Sequence, residues 1–134
     1  MIRPPGLATL IMFGLTWTIA AVPAFAQQHE QAAKPAFLSL GDFTVNLPTD
    51  SEDLSYVVVS VTLEVAPAAA MQLKGLEPRL KEAVMRRLLI MAERHVLRPG
   101  HTDPLVVKAS LLDSITAVQP DSIHDVLITR LLYG

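Results

Sequence analysis

"SYVVVSVTLEV", Ser55 to Val65, decides how the rest of the chain is read. Its odd positions are Val57, Val59, Val61, Leu63 and Val65, and its even positions are Tyr56, Val58, Ser60, Thr62 and Glu64. A period of two over this length is the pattern of a half-buried β-strand, about twice as long as the usual strand of about 5–6 residues. One side is wholly apolar and needs a cover. The other side is mixed and carries no obvious catalytic residue. A strand of this kind is a scaffold for other elements.

On the N-terminal side lies "FLSLGDFTVNL", Phe37 to Leu47. Leu38 and Leu40 are apolar on even positions, and Phe43, Val45 and Leu47 on odd ones, with Gly41 between the two sets. A one-residue change of phase beside a glycine predicts a β-bulge. "PTDSED", Pro48 to Asp53, is rich in turn residues, so the two strands should form an antiparallel hairpin.

On the C-terminal side, Pro67 suits the first turn of a helix, and Pro78 should kink or split that helix. Leu80, Val84, Leu88 and Met91 then fall on one helical face. Glu77–Lys81 and Glu82–Arg86 are acid-first pairs four residues apart, and Arg94 and Arg98 suit the negative end of the helix before "RPG" stops it. A second helix opens with Thr102 or Asp103 as N-cap and Pro104 in its first turn. Leu105, Ala109, Leu112 and Thr116 line one stripe of it, and Leu111 and Ile115 the next. "IHDVLITRLLY", Ile123 to Tyr133, is a third strand, apolar on both faces at Val126, Leu127 and Ile128, as expected of a strand covered on both sides. The expected fold is α+β, a β-β-α-α-β domain with helices packed on a small, mostly antiparallel sheet.

The chain has 134 residues, 51% of them hydrophobic and 18% charged, and no cysteine. That length suits one domain, whose core must suffice without disulfides. No charged residue occurs from Pro4 to Gln28. Arg3, the apolar run Leu7–Val22 and the "AFA" at Ala24–Ala26 follow the grammar of a secretory signal peptide, with cleavage at Ala26–Gln27. The same stretch, Gly6 to Ala26, is also long enough for a retained membrane anchor. Either way the remainder is exported. The expected organisation is a signal or anchor segment over 1–26, a polar linker over 27–35 and a domain over 36–134.

Catalytic signatures are missing. His29, His95, His101 and His124 form no metal-ligand spacing, and there is no nucleophile elbow, phosphate loop or dinucleotide fingerprint. The basic helix lacks interleaved aromatics, so nucleic acid is a poor partner. Neither enzyme activity nor a cofactor is expected. Charge is segregated instead. Asp42, Asp50, Glu52, Asp53 and Glu64 fall in a stretch without Lys or Arg, whereas Lys74 to Arg98 holds seven basic residues. Such clusters are most often solvated faces. The sharper reading is an acidic end and a basic end that meet across copies, Arg86 and Arg87 of one facing Asp50, Glu52 and Asp53 of another.

Taken together, "FLSLGDFTVNLP" and "YVVVSVTLEVAPAAAMQLKGLEPRLKEAVMRRLL", followed by a helix and a final strand, resemble the flagellar basal-body-associated FliL family. The resemblance runs from Ala36 to Tyr133, with "FTVNL" and "VSVTLEV" as its most specific parts. It is looser at "HVLRPGHTDP" and at the N-terminus, where only Arg3 stands in for a basic cytoplasmic tail. The resemblance implies a domain similar to the SPFH (stomatin-like) type. It further implies a non-enzymatic protein at the inner membrane, facing the periplasm. There it would assemble as a ring with stator and basal-body proteins and support torque and motility. A soluble periplasmic module for a lipid or small ligand is the alternative, which the low aromatic content of 5% disfavours.

Overall fold

The structure, a computed structural model, describes Gly6 and residues 34–134. Apart from Gly6, the segment 1–26 expected as signal or anchor, and most of the linker, lie outside the described residues. Among those described, no helix is long and apolar enough to cross a membrane.

Strands β1 (Ala36–Leu47), β2 (Ser55–Val65) and β3 (Ile123–Tyr133) form one antiparallel sheet in the order β1-β2-β3. Between β2 and β3 come a single 3-10 turn (Pro67–Ala69) and three helices: α1 (Ala70–Gly75), α2 (Glu77–Glu93) and α3 (Pro104–Val118). The domain is α+β. Helix α2 packs over β1 and α3 over β3, and the two helices also pack on each other. The central strand lies beneath both.

Its odd residues Val57, Val59, Val61, Leu63 and Val65 are all buried, none more than 1% exposed. Burying each contributes about 1.5–3 kcal/mol before the entropy of ordering is counted. Leu80, Val84, Leu88 and Met91 of α2 descend onto this face as expected, with Leu73 of α1 and Val107, Leu111 and Ile115 of α3.

The change of phase in β1 is a bulge. Ser39 pairs with Thr62 and Gly41 with Val61, which leaves Leu40 as the extra residue. Gly41 takes φ +84°, a region in which an L side chain is strained. The bulge keeps Leu40, Phe43, Val45 and Leu47 all buried on the helix side.

The split at Pro78 also stands. Helix α1 ends at Gly75, and Pro78 sits in the first turn of α2, where no N–H is needed. Helix α2 stops at Glu93, earlier than "RPG". His95 adopts φ +56°, its N–H bonds Ala92 O (3.1 Å), and the Val96 N–H bonds Met91 O (2.9 Å). This is a Schellman ending with histidine where glycine is usual. It turns the chain so that Leu97, only 2% exposed, enters the core, and it leaves Arg98 outside the helix.

Of the two stripes on α3 the second is the buried one: Leu111 and Ile115 are buried, with Val107 one turn before them, while Leu105 is 73% exposed and Ala109 is exposed. Asp103 is the N-cap, accepting from the Leu105 N–H at 2.9 Å, and this sets the helix so that Val107 faces inward. One expectation is corrected: among the described residues the third strand is not covered on both sides. It is an edge strand, with Leu132 55% exposed on the face away from the helices. Its mid-strand apolar run has another cause. Val65 pairs with Ile123 and Glu64 with Asp125, so His124 is extra; Ser60 pairs with Arg130 and Val61 with Ile128, so Thr129 is extra. Each bulge switches the apolar phase once, from Ile123 to Val126 and Ile128, and then to Leu131 and Tyr133.

Candidate protein-interaction surface

Among the described residues the helices cover only one side of the sheet. The other side carries Phe37, Tyr56 and Leu132, which are 59%, 43% and 55% exposed. At its centre Asp42 accepts a hydrogen bond from the Ser60 hydroxyl and lies 3.8 Å from the Arg130 guanidinium, so all three strands are linked there. Asp42, the first residue of the acidic stretch, is thus engaged within its own sheet.

The basic stretch lies on α2. Arg86 extends into solvent, its side chain 70% exposed, and pairs with Glu82 one turn earlier at 2.5 Å. Arg87, 33% exposed, reaches across to Asp113 of α3 at 3.2 Å. One arginine is therefore presented outward, and its neighbour ties the two helices together. The seam below is narrow because its residues are small. Ala83, Ser114 and Ala117 line it, and the Ser114 hydroxyl donates to Ala83 O at 3.1 Å. Two adjoining shallow grooves of about 370 and 270 Å³ follow this seam. Arg79, Glu82 and Arg86 line the first, and Arg86, Arg87 and Ile90 the second.

Arg79 was not singled out from the sequence, although it has no ion pair among the described residues. The signal was its spacing: Arg79 and Arg86 are seven residues apart, two helical turns, and so share a face. Adjacency drew attention to Arg86 and Arg87 instead, and neighbours in a helix point in different directions.

Asp50, Glu52 and Asp53 are exposed on the β1–β2 loop and make no ion pair among the described residues. The Thr49 hydroxyl bonds Ser51 O and Asp53 O, both at 2.9 Å, which folds the loop back on itself. This loop lies beside the α2–α3 connection, where Asp50 shares a cavity with Arg98, and no ion pair joins it to the basic grooves. Among the described residues the acidic loop and the arginine-lined grooves of one molecule are thus joined by no ion pair. Among the described residues no group of three His, Asp or Glu is placed to hold a metal ion.

The family model of the flagellar basal body-associated protein FliL matches residues 37–133, from the start of β1 to the end of β3. The chain belongs to the FliL family. FliL proteins are structural and accessory components associated with the flagellar basal body, and that association is this chain's as well. No curated protein matches the chain individually.

Proposed function

We propose that this FliL-family chain is a non-enzymatic scaffold of the flagellar motor. Copies assemble into a ring at the inner membrane, facing the periplasm, held there by the segment 1–26 or exported through it. The ring contacts the stator units and supports their torque. The domain, with helices on one side of a small antiparallel sheet, is similar to the SPFH type. One observation carries the reading. The acidic loop and the arginine-lined grooves are both presented outward and do not meet within one molecule. Such a pair fits a head-to-tail interface, which closes into a ring when its rotation allows.

The test reverses charge on the outward arginines and leaves the α2–α3 tie alone. Arg79→Glu with Arg86→Glu should leave the thermal melt within about 0.5 kcal/mol of wild type, as exposed substitutions do. Swim zones on soft agar should shrink, and crosslinked oligomers should decline in parallel. Wild-type swimming by this double variant would refute an electrostatic role for the grooves.

A further inference from the structure

The β1–β2 loop faces the α2–α3 connection across a cavity of about 620 Å³, lined by none of the groove arginines. His95, Arg98 and His101 line one wall, and Asp50 lines it from the β1–β2 loop, with Pro48, Leu97 and Pro99 as apolar surface between. Neither Arg98 nor Asp50 makes an ion pair among the described residues.

The wall that bears the donors is built to a fixed shape. Arg98, Pro99, Gly100 and His101 form a β-turn closed by the His101 N–H to Arg98 O bond at 3.0 Å, with Gly100 at φ +72°. Proline followed by a glycine at positive φ is the sequence of a type II turn, and it sets Arg98 and His101 side by side. The Thr102 hydroxyl then bonds both the N–H and the C=O of Arg98, each at 2.8 Å, and is itself bonded to the Tyr133 hydroxyl of β3. His95 is held by the Schellman ending of α2 in a conformation that favours glycine. Histidine is among the non-glycine residues that take this conformation most readily, and here it sets the imidazole on the cavity wall.

From these residues we infer that the cavity binds a ligand carrying both a carboxylate and a protonated amine, of amino-acid or short-peptide size. The carboxylate meets Arg98, whose planar guanidinium matches two carboxylate oxygens, with His95 and His101 as further N–H donors. The amine meets Asp50. A purely anionic ligand would leave Asp50 facing like charge, and a purely cationic one would do the same to Arg98. The volume lies within the range of small-ligand pockets, roughly 300–1,000 Å³. This inference uses none of the groove arginines; it shares Asp50 with the acidic loop of the scaffold reading, and binding to the isolated chain is read without any ring.

The experiment is calorimetric titration of the full chain in detergent with free alanine and with trialanine. Saturable binding of either supports the inference, and the tighter of the two names the source, free amino acid or peptide end. N-acetyl-trialanine, which lacks the amine, and trialanine amide, which lacks the carboxylate, should each bind about tenfold more weakly than trialanine, the loss of one charge-assisted contact. In Arg98→Gln the acid and the amide should bind alike; in Asp50→Asn the amine and its acetylated form should bind alike. His95→Gly should melt no lower than wild type, because glycine suits that backbone, and yet bind more weakly. The inference is overturned if neither alanine nor trialanine binds, or if blocking either end changes nothing.

Discussion

Val59 and Thr62 are three residues apart on β2 and face opposite sides of the sheet. Val59 is fully buried under the helices, while Thr62 is partly exposed on the open side. A carboxylate at position 59 would have neither water nor a partner, a cost of several kcal/mol against a total stability of about 5–15 kcal/mol. Val59→Asp is therefore expected to unfold the domain, whereas Thr62→Asp stays hydrated and should retain a cooperative melt close to wild type. Circular dichroism melts of the two variants check this, and equal destabilisation would mean that the faces of β2 have been assigned the wrong way round. The same logic explains what was legible residue by residue. Strict alternation in β2 left one possible buried face, and Gly41 beside the phase change marked the place of the bulge at Leu40. In β3 the two bulges fall at His124 and Thr129, which carry no such mark, so their phase changes passed for burial on both sides.

At the scale of elements, α3 is the least self-evident part of the fold. It is apolar on several sides, so periodicity alone did not choose between the Leu105 stripe and the Leu111–Ile115 stripe. The choice is made by contacts outside the helix: the Asp103 cap, the Arg87–Asp113 pair to α2 and the Lys108–Asp125 pair to β3. The last of these has a consequence for acid stability. The Asp125 carboxyl accepts a hydrogen bond from Lys108 at 2.8 Å, and this holds its pKa below the ordinary 3.8. Partial burial opposes the shift, while the Val126 N–H and the Lys108 charge add to it. A carboxyl with a lowered pKa in the folded state contributes stability above its unfolded value, and that contribution disappears as pH falls through the folded value. Asp125→Asn should accordingly be less stable than wild type at neutral pH, by the modest amount typical of a half-exposed pair. The two proteins should converge as the pH falls through the lowered folded value. Urea midpoints measured down that range give the answer; a constant gap at all pH values would show that the Lys108 contact is not what Asp125 contributes.

For the whole molecule, the segregation of charge was legible in the sequence, but its geometry was not, because linear order does not say which cations are already used. Arg87 lies next to Arg86 in the chain and yet is spent on Asp113, while Arg79, two turns away, is the one that joins Arg86 at the groove. The same holds at the acidic end, where Asp42 is tied to Ser60 and Arg130 but Glu52 and Asp53 are unengaged among the described residues. A single exposed ion pair contributes roughly 0–1 kcal/mol, and its larger effect is on orientation and encounter rate. In a ring the same contact recurs at every subunit boundary, so a small change per interface is repeated around the circle. This makes a charge exchange informative. With Arg79→Glu and Arg86→Glu in place, adding Glu52→Lys and Asp53→Lys restores opposite charges across a neighbouring boundary while leaving Asp50, Arg87 and Asp113 untouched. If the grooves receive the acidic loop of the next copy, the quadruple variant should recover crosslinked oligomers and part of its swimming, and the recovery should weaken as salt shortens the reach of the charges, about 8 Å at 0.15 M. If the grooves meet an acidic surface of the stator instead, the quadruple variant remains folded and poorly motile, with oligomer yield unaffected by either pair of substitutions. Crosslinking and soft-agar swimming measured on the same strains separate these outcomes, because only the first couples the two readouts.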